Sequence, residues 1–272
     1  MSKIVKAGNV VFGEGAPLAL IAGPCVIESR EGCLQIAEKL VALSKKQNIP
    51  LVFKASYDKA NRTSIQSYRG PGIDEGLDIL AEIRERFSVP VLTDVHSVAE
   101  IRQAAKVVDI IQLPAFLIRQ TDLVVAAGES GAVVNVKKAQ FAAPWDMAQV
   151  VKKIESTGNT NIMLTERGAS FGYNTLVADM RSLIIMRELG YPVIFDATHS
   201  VQSPGGQGDT SGGDGRFAPY LARAAAAVGV DGMFIETHPN PAEALSDGPN
   251  MIPLEEMDTL WQKLQEIDQI IH

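Results

Sequence analysis

Eight short apolar runs, each followed closely by a polar residue able to do chemistry, constrain this chain more than any other feature. The runs are Leu18 to Ala22, Leu51 to Phe53, Val89 to Leu92, Ile110 to Leu113, Ala132 to Val136, Asn161 to Leu164, Pro192 to Phe195 and Met233 to Ile235. Immediately beyond them stand Cys25, Lys54, Asp94, Gln112 with Pro114, Lys137, Glu166 with Arg167, Asp196 with His199, and Glu236 with His238. Amphipathic stretches of helical period separate the runs. The pattern therefore reads as strand then helix repeated eight times, an α/β chain closing into a (β/α)8 TIM barrel. Active sites of such barrels lie at the C-terminal ends of the strands, which is where these polar residues fall. A length of 272 residues with 46% hydrophobic content suits one barrel, so residues 1–272 are expected to form one domain with 1–17 as an N-terminal cap. A short hairpin turning around Gly13 to Gly15 is expected to cover the barrel floor.

A net charge of -7 argues against general binding to nucleic acid or anionic membrane, both of which need a positive field. Any basic site must be local. No apolar run approaches 18 residues, and Met1 to Gly15 has no signal-like core, so a cytoplasmic enzyme is expected. Two cysteines are too few for a disulfide framework, and Cys33 falls on the apolar face of the first helix, which leaves Cys25 to explain. Helix signals follow the strands: Ser29, a Ser97 and Glu100 capping box, Pro144 in a first turn, and stops at Gly190 and Gly229. Two long loops break the alternation, Ala55 to Gly72 and Gln202 to Arg216. The second is rich in glycine but lacks dinucleotide or phosphate-loop spacing; it reads as a lid over the barrel mouth.

Two constellations carry chemistry. Lys54, Lys59 and Arg62 gather at the exit of the second strand, with Asn61, Thr63, Tyr68 and Arg69 beside them, while Lys137 and Arg167 leave the fifth and sixth strands at the same level. Such convergence in an acidic protein points to an anion carrying phosphate and carboxylate groups, although Lys59 and Arg62 also read as solvated loop charges. Closure of the barrel brings Cys25, His199 and Glu236 together, with Asp247 in the loop after strand eight. One thiolate, one imidazole and two carboxylates suit Zn²⁺, Fe²⁺ or Mn²⁺. Read singly, His199 is an acid or base, Cys25 a small strand-end residue and Asp247 a helix cap before Pro249. His96 and His238 compete as ligands on the same face, and His272 is terminal.

The segments AGPCVIES, FKASYDKANRTSIQSYRGPG, LTDVH, QLPAFL, NVKKAQF, TERGASFGYNTLVADM, FDATHSVQ and ETHPNPAEALSDGPN together resemble the 3-deoxy-D-manno-octulosonate 8-phosphate synthases. That resemblance implies a transferase of lipopolysaccharide precursor biosynthesis, condensing phosphoenolpyruvate with arabinose 5-phosphate and releasing phosphate. It places Lys54, Lys59, Gln112, Lys137, Arg167 and His199 at phosphoenolpyruvate, with Lys54, Lys137, Arg167 and His199 as the catalytic set. Asn61, Arg62 and Thr63 fall at the aldose phosphate and Asp94 at its hydroxyl end. Cys25, where a metal-independent branch has asparagine, implies the metal-dependent branch with ligands Cys25, His199, Glu236 and Asp247, no organic cofactor, and a homotetramer. The related 3-deoxy-D-arabino-heptulosonate 7-phosphate synthases, which take erythrose 4-phosphate, carry a KPRTS-type stretch where this chain has Lys59 to Ser64. A Schiff-base aldolase using Lys54 or Lys137 and a catalytically silent binding protein are the remaining readings.

Overall fold

In the computed structural model, which describes residues 2–205 and 212–271, the apolar runs become eight parallel strands. They are Ala19–Gly23, Leu51–Lys54, Val91–Asp94, Ile110–Leu113, Val133–Lys137, Ile162–Glu166, Val193–Asp196 and Gly232–His238, called strands one to eight below. Each pairs with its successor in sequence. Strand eight lies between strand seven, where Met233 faces Phe195, and strand one, where Met233 faces Leu20. The ring is closed, so the barrel strands leave no open edge. Eight helices follow the strands in turn: Arg30–Gln47, Ile73–Phe87, Val98–Ala104, Thr121–Glu129, Met147–Glu155, Arg181–Arg187, Ala218–Val228 and Met257–Ile271. This is the (β/α)8 barrel that the alternation implied.

The first helix shows why the outer ring forms. Ser29 caps it by accepting a hydrogen bond from the Gly32 amide at 3.1 Å, and Asn48 ends it in the left-handed region at φ 55°. Between them Cys33, Ile36, Ala37, Leu40 and Val41 form one buried face. Burial of Ile36 or Leu40 contributes roughly 1.5–3 kcal/mol each, which fastens the helix to the strands. At the third helix Ser97 caps Glu100 as expected, but the Glu100 carboxylate reaches one residue further back, to the His96 amide at 2.8 Å. That displacement matters to the site, because it fixes His96.

The N-terminal hairpin forms, but not where the glycines at 13 and 15 placed it. Val5–Ala7 pairs antiparallel with Val10–Phe12 around a Gly8–Asn9 turn, with Gly8 at φ 55°. Gly13 and Gly15, at φ 116° and 79°, instead shape the connection to strand one. A two-residue turn with a positive φ at its first position matches the twist of a hairpin, and alternation puts Val5, Ala7, Val10 and Phe12 on one face. These four pack in a single cluster with Ile21, Val52, Leu92, Ile110, Val133, Met163, Ile194 and Phe234 from inside the barrel. The hairpin thus closes the floor. In the loop after strand seven, Gln202–Ser203 pairs with Gly212–Gly213; the rest of the expected lid, residues 206–211, lies outside the described residues, as does His272.

Candidate active site

Strand alternation builds the site directly on that apolar floor. Every strand contributes an apolar residue to the interior cluster, strand one both Ala19 and Ile21, and the residue two positions beyond the last of these returns to the inside. Those residues are Gly23, Lys54, Asp94, Gln112, Asn135, Thr165, Asp196 and Glu236. A polar layer therefore sits over an apolar one, and Lys137 and Arg167 stand a further step along strands five and six. Above this layer opens a cavity of about 420 Å³, lined among others by Lys59, Asn61, Arg62, Thr63, Asp94, Gln112, Lys137, Arg167, His199, Glu236 and Asp247. Lys54 and Cys25 are not among its lining residues. Lys54 is buried beneath it, donating to Glu236 Oε1 at 2.6 Å and to the Cys25 carbonyl at 3.3 Å.

The carboxylates and lysines buried in the mouth are paired, which is what burial requires, whereas the two arginines there meet only neutral groups. Lys137 is ion-paired with Asp196, and its Nζ stands 3.2 Å from the centroid of the Phe234 ring. Burial lowers the Lys137 ammonium to about 8 against the opposing pull of Asp196. Asp196 is itself wholly buried; His199 and Lys137 hold it far below the usual carboxylate range despite the cost of desolvation. Burial likewise opposes ionisation of Glu236, yet His199, Lys54 and Lys59 draw it down to about 2. Lys59, far from being a solvated loop charge, has only 12% of its side chain exposed, with Nζ 3.9 Å from Glu236 Oε1. Arg62 donates to Ser246 Oγ and the Leu245 carbonyl, both at 2.9 Å, while its buried Nε has no partner among the described residues. Arg167 donates to Gln202 Oε1 at 2.8 Å and keeps a buried Nη1 that has no partner among the described residues. Burial lowers its pKa.

Cys25, Glu236 and Asp247 form a second feature of the mouth, offering ligand atoms within 4.8 Å of one another. The Cys25 thiol lies 3.0 Å from Ser246 Oγ and 3.3 Å from Asp247 Oδ2. His199 is not one of this trio but adjoins it, with Nε2 3.6 Å from Glu236 Oε2 and 3.9 Å from Asp247 Oδ2. Its other nitrogen, Nδ1, is 2.8 Å from Asp196 Oδ2, the arrangement that orients a ligating imidazole. The donor set fits a divalent metal ion. Burial and the nearby Glu236 push the Cys25 thiol well above its usual value, a cost that a cation in the proton's place would relieve. Asp247 does stand at the start of a short 3₁₀ turn, at φ 51°, but its side chain makes no cap. The competing histidines are engaged elsewhere: His96 bridges Asp94 and Glu100, and His238 meets Glu28 and Asn240.

Several participants are not obvious from strand exits alone. Ser246 and Gln202 hold Arg62, Cys25, Arg167 and Asp247 in one web, and Ser56 hydrogen-bonds the buried Asp94 carboxylate, which Lys59 and His96 keep ionised against desolvation. Asp196 was readable from its position two residues after Ile194. Ser246 and Gln202 sit in loops, where no periodicity marks them.

Full-length similarity gives the chain its place. The DAHP synthetase I family matches residues 2–272. A 2-dehydro-3-deoxyphosphooctonate aldolase of Granulibacter bethesdensis is 62% identical over 267 residues, covering 98% of this chain and 95% of the relative. Proteins of the same name from Trichlorobacter lovleyi and Geobacter metallireducens are each 58% identical over 271 residues, covering 100% of both chains. A barrel whose eight strand ends converge on one charged mouth, matched from end to end in this way, belongs to the DAHP synthetase I family.

Proposed function

We propose that this chain condenses phosphoenolpyruvate with D-arabinose 5-phosphate and water to give 3-deoxy-D-manno-octulosonate 8-phosphate and inorganic phosphate. The observation that carries the reading is the convergence of Lys59, Lys137 and Arg167 on one cavity, Arg167 with a buried Nη1 that has no partner among the described residues. Phosphoenolpyruvate offers a carboxylate and a phosphate to such a set. The names of the relatives favour the octulosonate over the heptulosonate reaction. Both amines that a Schiff-base aldolase would use are committed to buried carboxylates, Lys54 to Glu236 and Lys137 to Asp196.

Phosphoenolpyruvate is a masked enol, so its C3 attacks the aldehyde carbon when the two substrates are held in line. A C–C bond forms and the aldehyde oxygen takes up a proton. Water adds at the electron-poor C2, and the resulting hemiketal phosphate loses phosphate by cleavage of the C2–O bond. Lys137, Arg167, Lys59 and Gln112 hold phosphoenolpyruvate and stabilise charge on the departing phosphate. Asn61, Arg62 and Thr63 hold the aldose phosphate, and Asp94 its hydroxyls. Lys54 positions Glu236 from below. Cys25, His199, Glu236 and Asp247 would hold Zn²⁺, Mn²⁺ or Fe²⁺, which when bound supplies Lewis acidity toward an aldehyde or hydroxyl oxygen.

No helix among the described residues is long and apolar enough to cross a membrane, and we place the enzyme in the cytoplasm as a homotetramer. Exposed Phe116, Trp145 and Phe171 offer such an assembly apolar surface. The test is product stoichiometry. Phosphoenolpyruvate and arabinose 5-phosphate must yield inorganic phosphate and an eight-carbon keto acid in equal amounts; phosphate without the keto acid, or neither, refutes the reading.

A further inference from the structure

Inside the barrel, a chain of three neutral side chains crosses strands four, five and six just under the cavity. Thr165 Oγ1 donates to Asn135 Oδ1 at 2.6 Å, and Asn135 Nδ2 donates to Gln112 Oε1 at 3.0 Å. Thr165 and Asn135 are fully buried, whereas Gln112 lines the cavity. Neither buried residue belongs to the substrate contacts assigned above. Their hydrogen bonds nevertheless have a direction, and the chain ends at the cavity wall.

We infer that Asn135 and Thr165 are positioning residues that decide which end of the Gln112 amide faces phosphoenolpyruvate. A side-chain amide has a donor end and an acceptor end related by a half-turn, so fixing one end exposes the other. With its Oε1 turned toward Asn135, Gln112 points its Nε2 the other way, and that nitrogen donates to no protein group among the described residues. A donor suits an anionic substrate; the reversed amide would present a carbonyl oxygen to it. Asn135 can itself be reversed, and the Thr165 hydroxyl would then accept from Nδ2, but its own hydrogen would lose the one acceptor that it has among the described residues. Because Thr165 is out of water, reversal would leave that one hydroxyl donor buried and unsatisfied, which is what sets the direction of the chain.

The inference rests on the mouth being the phosphoenolpyruvate site, and its test separates the two claims. Thr165→Val, which keeps the shape and removes the hydroxyl, should raise the calorimetric Kd for phosphoenolpyruvate about tenfold, the weight of one neutral hydrogen bond. It should change kcat less than about twofold, and Thr165→Ser should restore wild-type affinity. In a Gln112→Leu background, which itself weakens binding, Thr165→Val should add almost nothing, since the contact it orients is gone. Asn135→Leu provides the same cycle should the valine variant fold poorly. Equal effects of Thr165→Val with and without Gln112, or wild-type affinity in Gln112→Leu, overturn the inference while leaving wild-type turnover to judge the function. Wild-type protein that does not bind phosphoenolpyruvate refutes both.

Discussion

Replacing Asp196 by Asn removes the carboxylate that keeps Lys137 charged. Asp196 is fully buried and ion-paired with Lys137, and of the effects on the ammonium it is the strongest opposing desolvation. With that carboxylate present the Lys137 pKa is already lowered to about 8, so roughly nine-tenths of the amine is cationic at pH 7. Without it the pKa falls further and the neutral form gains at neutral pH. A charge-assisted hydrogen bond to a substrate anion is worth about 1.5–3 kcal/mol, so kcat/KM for phosphoenolpyruvate should drop roughly ten- to hundredfold at pH 7. The assay is phosphate release between pH 6 and 10. Because the working form of Lys137 is the protonated one, wild-type kcat/KM should fall as pH rises through about 8. The variant's limb should move to lower pH. Metal content of the same preparations separates this effect from loss of the Asp196 hold on His199. A variant with wild-type kcat/KM and an unmoved limb would show that Asp196 does not govern the charge on Lys137.

Cys25→Ser should weaken retention of Zn²⁺ by at least tenfold in dialysis followed by metal analysis, since a serine hydroxyl stays protonated near neutral pH. Glu236 is held at about 2 rather than near 4.5; its stabilising contribution is complete above about 4.5 and lost as pH falls toward 2, so Glu236→Gln should remove roughly 3 kcal/mol of acid dependence from unfolding of the metal-free protein. Phe12→Ala, which empties a fully buried position in the floor cluster, should cost about 3–5 kcal/mol in denaturant unfolding while leaving KM values near wild type.

The polar layer was legible because a barrel strand returns to the interior every second residue, and the chemistry-bearing residues lie one such step beyond the apolar floor. Strand ends were read short for the same reason. Lys54, Asp94, Glu166, Asp196 and His238 all continue their strands, but a hydrophobic run stops where the polar layer begins although the backbone ladder does not. The hairpin turn was misplaced because two glycines at 13 and 15 advertise a bend more loudly than Gly8, while the alternation from Val5 to Phe12 carried the register. Lys54 illustrates a different point: its strand position puts it inside the barrel, but only packing reveals that it is buried in an ion pair with Glu236. The junction of Arg62, Ser246 and Cys25 joins residues 184 and 221 positions apart, in loops that no period describes.

The central claim is that this mouth joins phosphoenolpyruvate to a five-carbon aldose phosphate, and aldose competition in the phosphate-release assay tests it most directly. Metal-replete enzyme should turn over arabinose 5-phosphate with kcat/KM at least roughly a hundredfold above that for erythrose 4-phosphate, and Arg62→Ala should raise KM for the former. Equal efficiencies, or a preference for erythrose 4-phosphate, would contradict the account.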